Sequence, residues 1–324
     1  MAQRVARPRL ALMMVAAAGT DVVRMVNACD GWPSEIEVRT SSGWTPVDLY
    51  IGVIHSHARK PYELRFQNPA DQSRRPIVAR AGRVPILLGY TSQLDRPVCV
   101  AGEVAKRLNS DHRFSILFPD AVIQQAAVGG WAEYHSSVDE VIVAFQPSLL
   151  GAYLEVRNVL PNVAVEQVVG AIQDAGFVVS NTEQSRQRAI VAVCRVARDS
   201  RFRVKVMTAY DGYCALCGMD WGLIEAAHIY PATAPGSPDE VWNGVGVCGN
   251  HHLLFDDHML FIDLDSHAVK LHPNLRLRAT PAGQRFLDST FPALSLPPQA
   301  ADRPRRDMLL KRYDWFKNAY KWAC

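Results

Sequence analysis

Cys214-Ala-Leu-Cys217 sets two thiols two residues apart, a spacing that lets one tight turn offer both to a single ion. Cys248-Gly-Asn-His251 repeats the gap and adds a third thiol and an imidazole. Three thiolates and a histidine close a tetrahedral site with no position left for water. The chemistry expected of Cys214, Cys217, Cys248 and His251 is therefore a structural zinc staple and not catalysis. His251 and His252 are adjacent, and consecutive side chains on a helix point about 100° apart, so they cannot serve one ion together. The equal gaps give His251 to the zinc and leave His252 for another task.

Between the two ligand pairs lie Glu225-Ala-Ala-His228-Ile-Tyr-Pro231, an apolar strand-like run that reaches a histidine, and then Asn243-Gly244. The order His228, Asn243, His252, threaded between two halves of a zinc knuckle, resembles the HNH nuclease motif in its ββα-metal form. Together with Phe202-Arg-Val-Lys-Val206 and the final His-His-Leu-Leu-Phe-Asp256, residues 196–275 are similar to the HNH domains of McrA-like restriction endonucleases.

Phosphodiester hydrolysis needs a nucleophilic water, a group to take its proton, and a cation to offset the charge that grows on the phosphate. The resemblance implies that His228 is the general base, since its near-neutral pKa leaves it unprotonated at working pH. It implies that His252 binds the catalytic metal, magnesium or manganese, and that the amide of Asn243 holds the loop beneath the site. Asn-Gly is also a common turn pair with no chemical part. One departure concerns the metal: many HNH enzymes carry an aspartate just before the first histidine, and here Ala227 stands there. Asp256, Asp257 and His258 are the substitutes, Asp256 first because it completes the His-His-x-x-Phe-Asp run, although a helix cap or a partner for an arginine is an equal reading of it.

The elements that must position these residues read as an α+β chain: an N-terminal mixed β-rich domain, a helical connector, and a C-terminal zinc-stapled ββα-metal HNH nuclease domain. At 324 residues two domains are expected. A hydrophobic fraction of 48% against 21% charged residues gives each enough apolar matter for a core and argues against extensive disorder. Residues 36–39, 47–54 and 62–66 alternate as strands, followed by a short helix from Val98 to Leu108, a strand at 114–118, a helix start at Pro119 and a strand at 141–145. Val165 to Ala175 has helical periodicity ending at Gly176, and Thr182 to Val206 reads as one long helix. The boundaries expected are a leader over 1–29, disordered or resembling a signal peptide, a DNA-recognition domain over 30–157, a connector over 158–195, and the nuclease domain with a helical tail over 196–324.

A net charge of +3 is too mild to indicate nucleic acid by itself, so local clusters matter more. Arg201, Arg203 and Lys205 alternate just before the first zinc pair and are the candidate phosphate contacts. The others are Arg74, Arg75, Arg80 and Arg83, and the tail 303–321. In that tail Leu309, Leu310, Tyr313, Phe316 and Tyr320 also fall at helical spacing, which suits docking of a last helix. The N-terminal domain shows no phosphate loop, and His55 with His57 reads as a polar strand face. Its aromatic and basic residues, among them Trp32, Trp44, Tyr62, Phe66, Trp131 and Tyr134, suit either a core or a pocket for a flipped base.

No run approaches the length needed to span a bilayer. Seven cysteines, an odd number, do not read as a disulfide framework, which suits a reducing, cytoplasmic setting. The expected activity is a metal-dependent DNA endonuclease of restriction type acting on double-stranded DNA, with dependence on a modified base left open, and working as a homodimer. An HNH enzyme of repair, of a mobile element or of secretion, and a non-catalytic zinc DNA-binding protein, remain the alternatives.

Overall fold

The computed structural model describes residues 6–56, 62–68, 76–92, 96–110, 112–220 and 222–323, so the expectations placed on His57, Arg74 and Arg75 lie outside the described residues. The chain divides into two compact units, Met1–Ala197 and Arg198–Cys324.

The first unit contains α1 (Arg7–Ala18), β1 (Val23–Asn27), β2 (Ser34–Thr40), β3 (Gly43–Val53), β4 (His55–Ser56), β5 (Glu63–Gln67), β6 (Val84–Thr91), β7 (Val98–Gly102) and β8 (Ser115–Pro119). There follow α2 (Asp120–Gly129), β9 (Trp131–His135), β10 (Val141–Phe145), α3 (Leu150–Val156), α4 (Val165–Asp174) and the start of the long α5 (Glu183–Ala209), which continues past the end of this unit at Ala197. Seven strands form one sheet in the order β1-β2-β3-β6-β7-β10-β9, and β4-β5-β8 form a second. Within the large sheet β3 and β6 run parallel, in register from Val47 opposite Val84 to Val53 opposite Tyr90.

Successive side chains of a strand point to opposite faces, and here both faces are covered. Val47, Leu49 and Ile51 of β3, Ile86 and Leu88 of β6 and Val143 and Phe145 of β10 share one core with α1 and with Leu150, Val168 and Ile190 of the later helices. Tyr50, Leu87, Val100 and Ile142, from the other face, pack with Phe66, Ile116, Phe118 and Ile123. Burial on two faces explains why residues 98–102 are continuously apolar. That run forms strand β7, all five residues buried, and not the helix expected from Val98 to Leu108; only a short 3-10 turn, Ala105–Arg107, follows it.

Residues 7–27, expected as part of a leader, are an integral piece of this unit. Helix α1 buries Leu10, Ala11, Met14 and Ala18, spaced as one helical face, and β1 pairs with β2 from Val23 opposite Val38. The Arg186 guanidinium clasps Asp21 at 2.7 and 2.9 Å. A signal-like apolar run and an amphipathic core helix look alike in sequence when the intervening residues are alanine and methionine. Burial also decides two readings that the sequence leaves open. Arg80 and Arg83 both bond the fully buried carboxylate of Asp48, and Trp32, Phe66 and Trp131 are core residues, each at most 3% exposed, with no face open to a flipped base.

Helix α5 opens as expected, with the Thr182 hydroxyl accepting from the amide of Ser185. Its early residues Ala189, Ile190, Val193 and Ala197 belong to the core of the first unit. From Phe202 onward it belongs to the second, whose core it lines with Val206 and Tyr210. That unit continues with β11 (Ile224–His228), β12 (Gly244–Cys248), α6 (Gly249–Asp256), β13 (Leu260–Ile262), β14 (Val269–Leu271), α7 (Pro273–Arg278), α8 (Pro281–Asp288) and α9 (Arg306–Trp315). Strands β11 and β12 pair antiparallel, Ile224 opposite Cys248 and His228 opposite Gly244, and β12 runs straight into α6. This is a ββα arrangement. Gly244 is required by packing: a Cβ there would lie 2.5 Å from Val206 and 2.8 Å from Phe202, so α5 can approach the hairpin only at a glycine.

Candidate functional site

The turn after α5 and the first turn of α6 bring Cys214, Cys217, Cys248 and His251 together, their ligand atoms all within 4.8 Å of one another. The His251 Nδ1 lies 3.6 Å from Cys214 Sγ and 3.2 Å from Cys248 Sγ, and Cys217 Sγ lies 4.0 Å from Cys248 Sγ. Zinc bonds of about 2.3 Å to sulfur and about 2.0 Å to nitrogen in a tetrahedron require donor separations of roughly 3.5 to 3.8 Å. The cluster is positioned for zinc. The opposite edge of the His251 ring, Nε2, meets the Thr290 hydroxyl at 3.0 Å, which fixes the ring with Nδ1 turned inward.

His228 ends β11 with its side chain 13% exposed. Its ring stacks on Phe202 of α5, centroids 3.7 Å apart and planes at 15°, and its Nε2 meets Asp239 Oδ1 at 3.2 Å. The other oxygen of Asp239 accepts from Arg198 at 2.7 Å. Burial pushes the imidazole pKa down and Asp239 pushes it up; burial wins, so the group lies below its ordinary 6.5. Asn243 is completely buried. Its Oδ1 accepts from the amide of Tyr230 at 2.8 Å, and its Nδ2 donates to the carbonyls of Tyr230 and Pro238 at 3.2 and 2.9 Å and to the Ser237 hydroxyl at 3.2 Å. One side-chain amide thus closes the loop 230–238, whose next residue is Asp239.

His252 stands on the outer face of α6 between two carboxylates. Its Nδ1 lies 2.5 Å from Glu225 Oε2 of β11, and its Nε2 lies 3.3 Å from Asp256 Oδ2 one helical turn on. Beneath both histidines sits Arg312 of α9, only 2% exposed. Its Nη1 donates to the carbonyl of Ile229 at 3.1 Å and reaches that of His228 at 3.5 Å. Its Nη2 donates to the carbonyl of Phe255 at 2.5 Å and lies 4.0 Å from Asp256, and its Nε donates to the Tyr320 hydroxyl at 2.6 Å. The guanidinium also lies 3.7 Å from the centre of the Phe255 ring. A single buried cation therefore joins the end of the strand that carries His228 to the last turn of the helix that carries His252.

Residues 214–263 match the family described as HNH endonuclease. The C-terminal unit carries an HNH endonuclease domain. Residues 47–154, in the first unit, match a second family, described as methylase-associated X1. No curated protein matches the chain. Among solved structures the chain is similar to one titled "Modification dependent TagI restriction endonuclease", at 14% identity and a TM-score of 0.30, over 88% of this chain and 85% of that one.

Within the HNH domain the structure gathers the residues singled out in sequence into three groups. Cys214, Cys217, Cys248 and His251 form the staple; Asn243 shapes the loop that leads to the partner of His228; His252 and Asp256 sit side by side on α6. Sequence reasoning missed Asp239, Glu225, Thr290 and Arg312, each of which reaches the site by tertiary contact. Glu225 alone had a clue, since it stands two residues before Ala227 and so on the same face of the strand.

The basic run at the end of α5 does not form one patch. On a helix Arg201 and Lys205 share a face while Arg203 points away. Arg203 donates to the carbonyl of Ile224 at 3.0 Å, Lys205 lies 3.5 Å from Glu240, and Arg201 is exposed. In the tail Leu309 is fully buried and Tyr320 is 3% exposed, so α9 docks on the HNH domain. Among the described residues no helix is long and apolar enough to cross a membrane.

Proposed function

We propose that the protein is a cytoplasmic restriction endonuclease that hydrolyses phosphodiester bonds of double-stranded DNA at the His228–His252 site and uses its N-terminal unit to read a modified base. The observation that carries this reading is the placement of His228, braced by Asp239 and Phe202, at the end of a hairpin that leads into the helix bearing His252, inside the segment that matches HNH endonucleases. A methylase-associated X1 match in the same chain supports a restriction role.

Asp239 occupies Nε2 of His228, so Nδ1 is the nitrogen that accepts a proton from the attacking water. The stack on Phe202 holds the ring, and Asn243 holds the loop from which Asp239 reaches it. His252, with Asp256 beside it, is the metal side of the site. A magnesium or manganese ion bound there would offset negative charge on the phosphate and the leaving oxygen. The zinc staple, built by the four Cys/His donors, keeps β12 and the start of α6 in register with the turn after α5. Arg201, exposed on α5, with Lys205 on the same face and Arg203 beside the hairpin, supplies phosphate contacts.

One such site cuts one strand, so a double-strand break calls for a homodimer or two successive nicks. The test uses zinc-loaded full-length protein with phage DNAs that carry or lack base modifications, in magnesium or manganese. Cleavage restricted to modified DNA is expected. Equal cutting of both DNAs would remove the modification dependence and keep the endonuclease; cutting of neither, in either metal, would overturn the reading.

A further inference from the structure

The HNH pattern expects a carboxylate immediately before the first histidine, and the residue there, Ala227, is 1% exposed within the apolar core. A methyl group there offers no donor atom to a metal. The neighbouring residue on the same strand face, Glu225, is instead half exposed, and its carboxylate lies against Nδ1 of His252 across the strand–helix junction. The geometry assigns Glu225 and His252 as the protein ligands of the catalytic divalent cation, with Asp256 orienting the histidine and not binding the ion. This rests on the proposal that His252 is the metal side of the site.

Two observations and one general pattern carry the division of labour. Glu225 and Asp256 contact different nitrogens of one imidazole, Nδ1 at 2.5 Å and Nε2 at 3.3 Å. The two nitrogens lie on different edges of the ring, so an ion bound to one of them has only one of these carboxylates beside it. The arrangement also follows the usual one for a metal-bound histidine, in which the nitrogen away from the ion donates to a carboxylate that fixes the ring. Asp256 has a second partner suited to that role, because Arg312 lies 4.0 Å from its other oxygen and draws the carboxylate toward the protein.

Glu225 fits the ligand role by chemistry and reach. A hard cation such as magnesium takes oxygen ligands at about 2.0–2.1 Å in an octahedron, which sets adjacent donors about 3 Å apart. The Glu225 and His252 donor atoms stand 2.5 Å apart, and their side chains are 49% and 26% exposed, so a small opening of two solvent-facing side chains admits the ion. Water and phosphate oxygens would complete the coordination, as magnesium sites of one or two carboxylates usually require.

The test is Mn2+ binding to zinc-loaded, full-length protein, followed by the paramagnetic resonance of the free ion, with zinc content as the check on folding. Glu225→Gln should weaken Mn2+ binding by more than about 100-fold, and Asp256→Asn by the smaller loss of about 10- to 100-fold usual for a partner that orients a ligand, with zinc retained in both. Wild-type Mn2+ affinity in Glu225→Gln would overturn the assignment, as would equal losses in the two variants. Unchanged binding in His252→Ala would overturn the underlying placement of the metal, an outcome separate from failure of Glu225 alone.

Discussion

At the scale of single residues, the His228 imidazole is the most exacting element of the proposed chemistry, because no neighbour of similar pKa can replace it. His228→Ala should keep the zinc and DNA binding while cleavage falls by roughly 100-fold or more, the usual size of a general-base contribution. Cleavage near the wild-type rate would place the catalytic centre elsewhere. The pH dependence has a definite sign. A base acts in its neutral form, so activity should hold at neutral pH and be lost as pH falls through the histidine's own pKa, which burial sets below 6.5 against the opposing pull of Asp239. Asp239→Asn removes that pull and should move the acid limb of the pH–rate profile to lower pH while reducing the plateau; a limb that stays put or moves up would show that the pair does not control the base. The cluster of Cys214, Cys217, Cys248 and His251 was legible in sequence because equal gaps between donors are a local property. His228, Asn243 and His252 were legible as an order of types. Asp239 was not, because a carboxylate that reaches an imidazole from another element leaves no periodic mark.

At the scale of elements, the hairpin and α6 depend on a helix that lies outside the segment matched to HNH endonucleases. Arg312 of α9 supplies donors to the carbonyls of Ile229 and Phe255, both at positions water cannot easily serve. Arg312→Met should leave them unsatisfied and destabilise the HNH domain by about 3 kcal/mol, within the range for lost buried partners. Arg312→Lys should recover only part of this, since one ammonium lacks the planar fork that spans two elements. Thermal unfolding of the zinc-loaded variants measures it, and midpoints equal to wild type in both would remove the strut. The tail sequence permitted two readings, phosphate contact or docking, and burial of Leu309, Arg312 and Tyr320 decides for docking. The first helix is as hard to read in sequence, for a related reason. Alanine and methionine between its larger residues gave α1 the look of a leader, and only the partners of Leu10 and Met14, which sit far away in sequence, make it a core element. The sequence of β7 reads as a helix because a strand buried on both faces loses its two-residue alternation.

At the scale of the whole molecule, the two units draw their stability from different sources. The first has apolar cores on both faces of a seven-stranded sheet. The second has a smaller core, in which Cys214, Cys248 and their neighbours Ala215 and Leu216 are themselves core residues. The staple is thus part of that core's packing, and its removal would leave polar thiols and the His251 ring buried without a partner ion. Metal binding to such a site is coupled to folding. Stripping zinc from the full chain should therefore unfold residues 200–275 while the sheet of the first unit persists. Calorimetry should show two transitions in the zinc-loaded protein, and a strong chelator should abolish one and leave the other in place, behaviour expected when a chain is not two-state. Hydrogen exchange would locate the loss: amides of β11, β12 and α6 should become unprotected, and those of β3, β6 and β7 should not. Metal analysis that finds well under one zinc per folded chain, or protection of α6 that survives chelation, would show that the HNH domain stands without its staple.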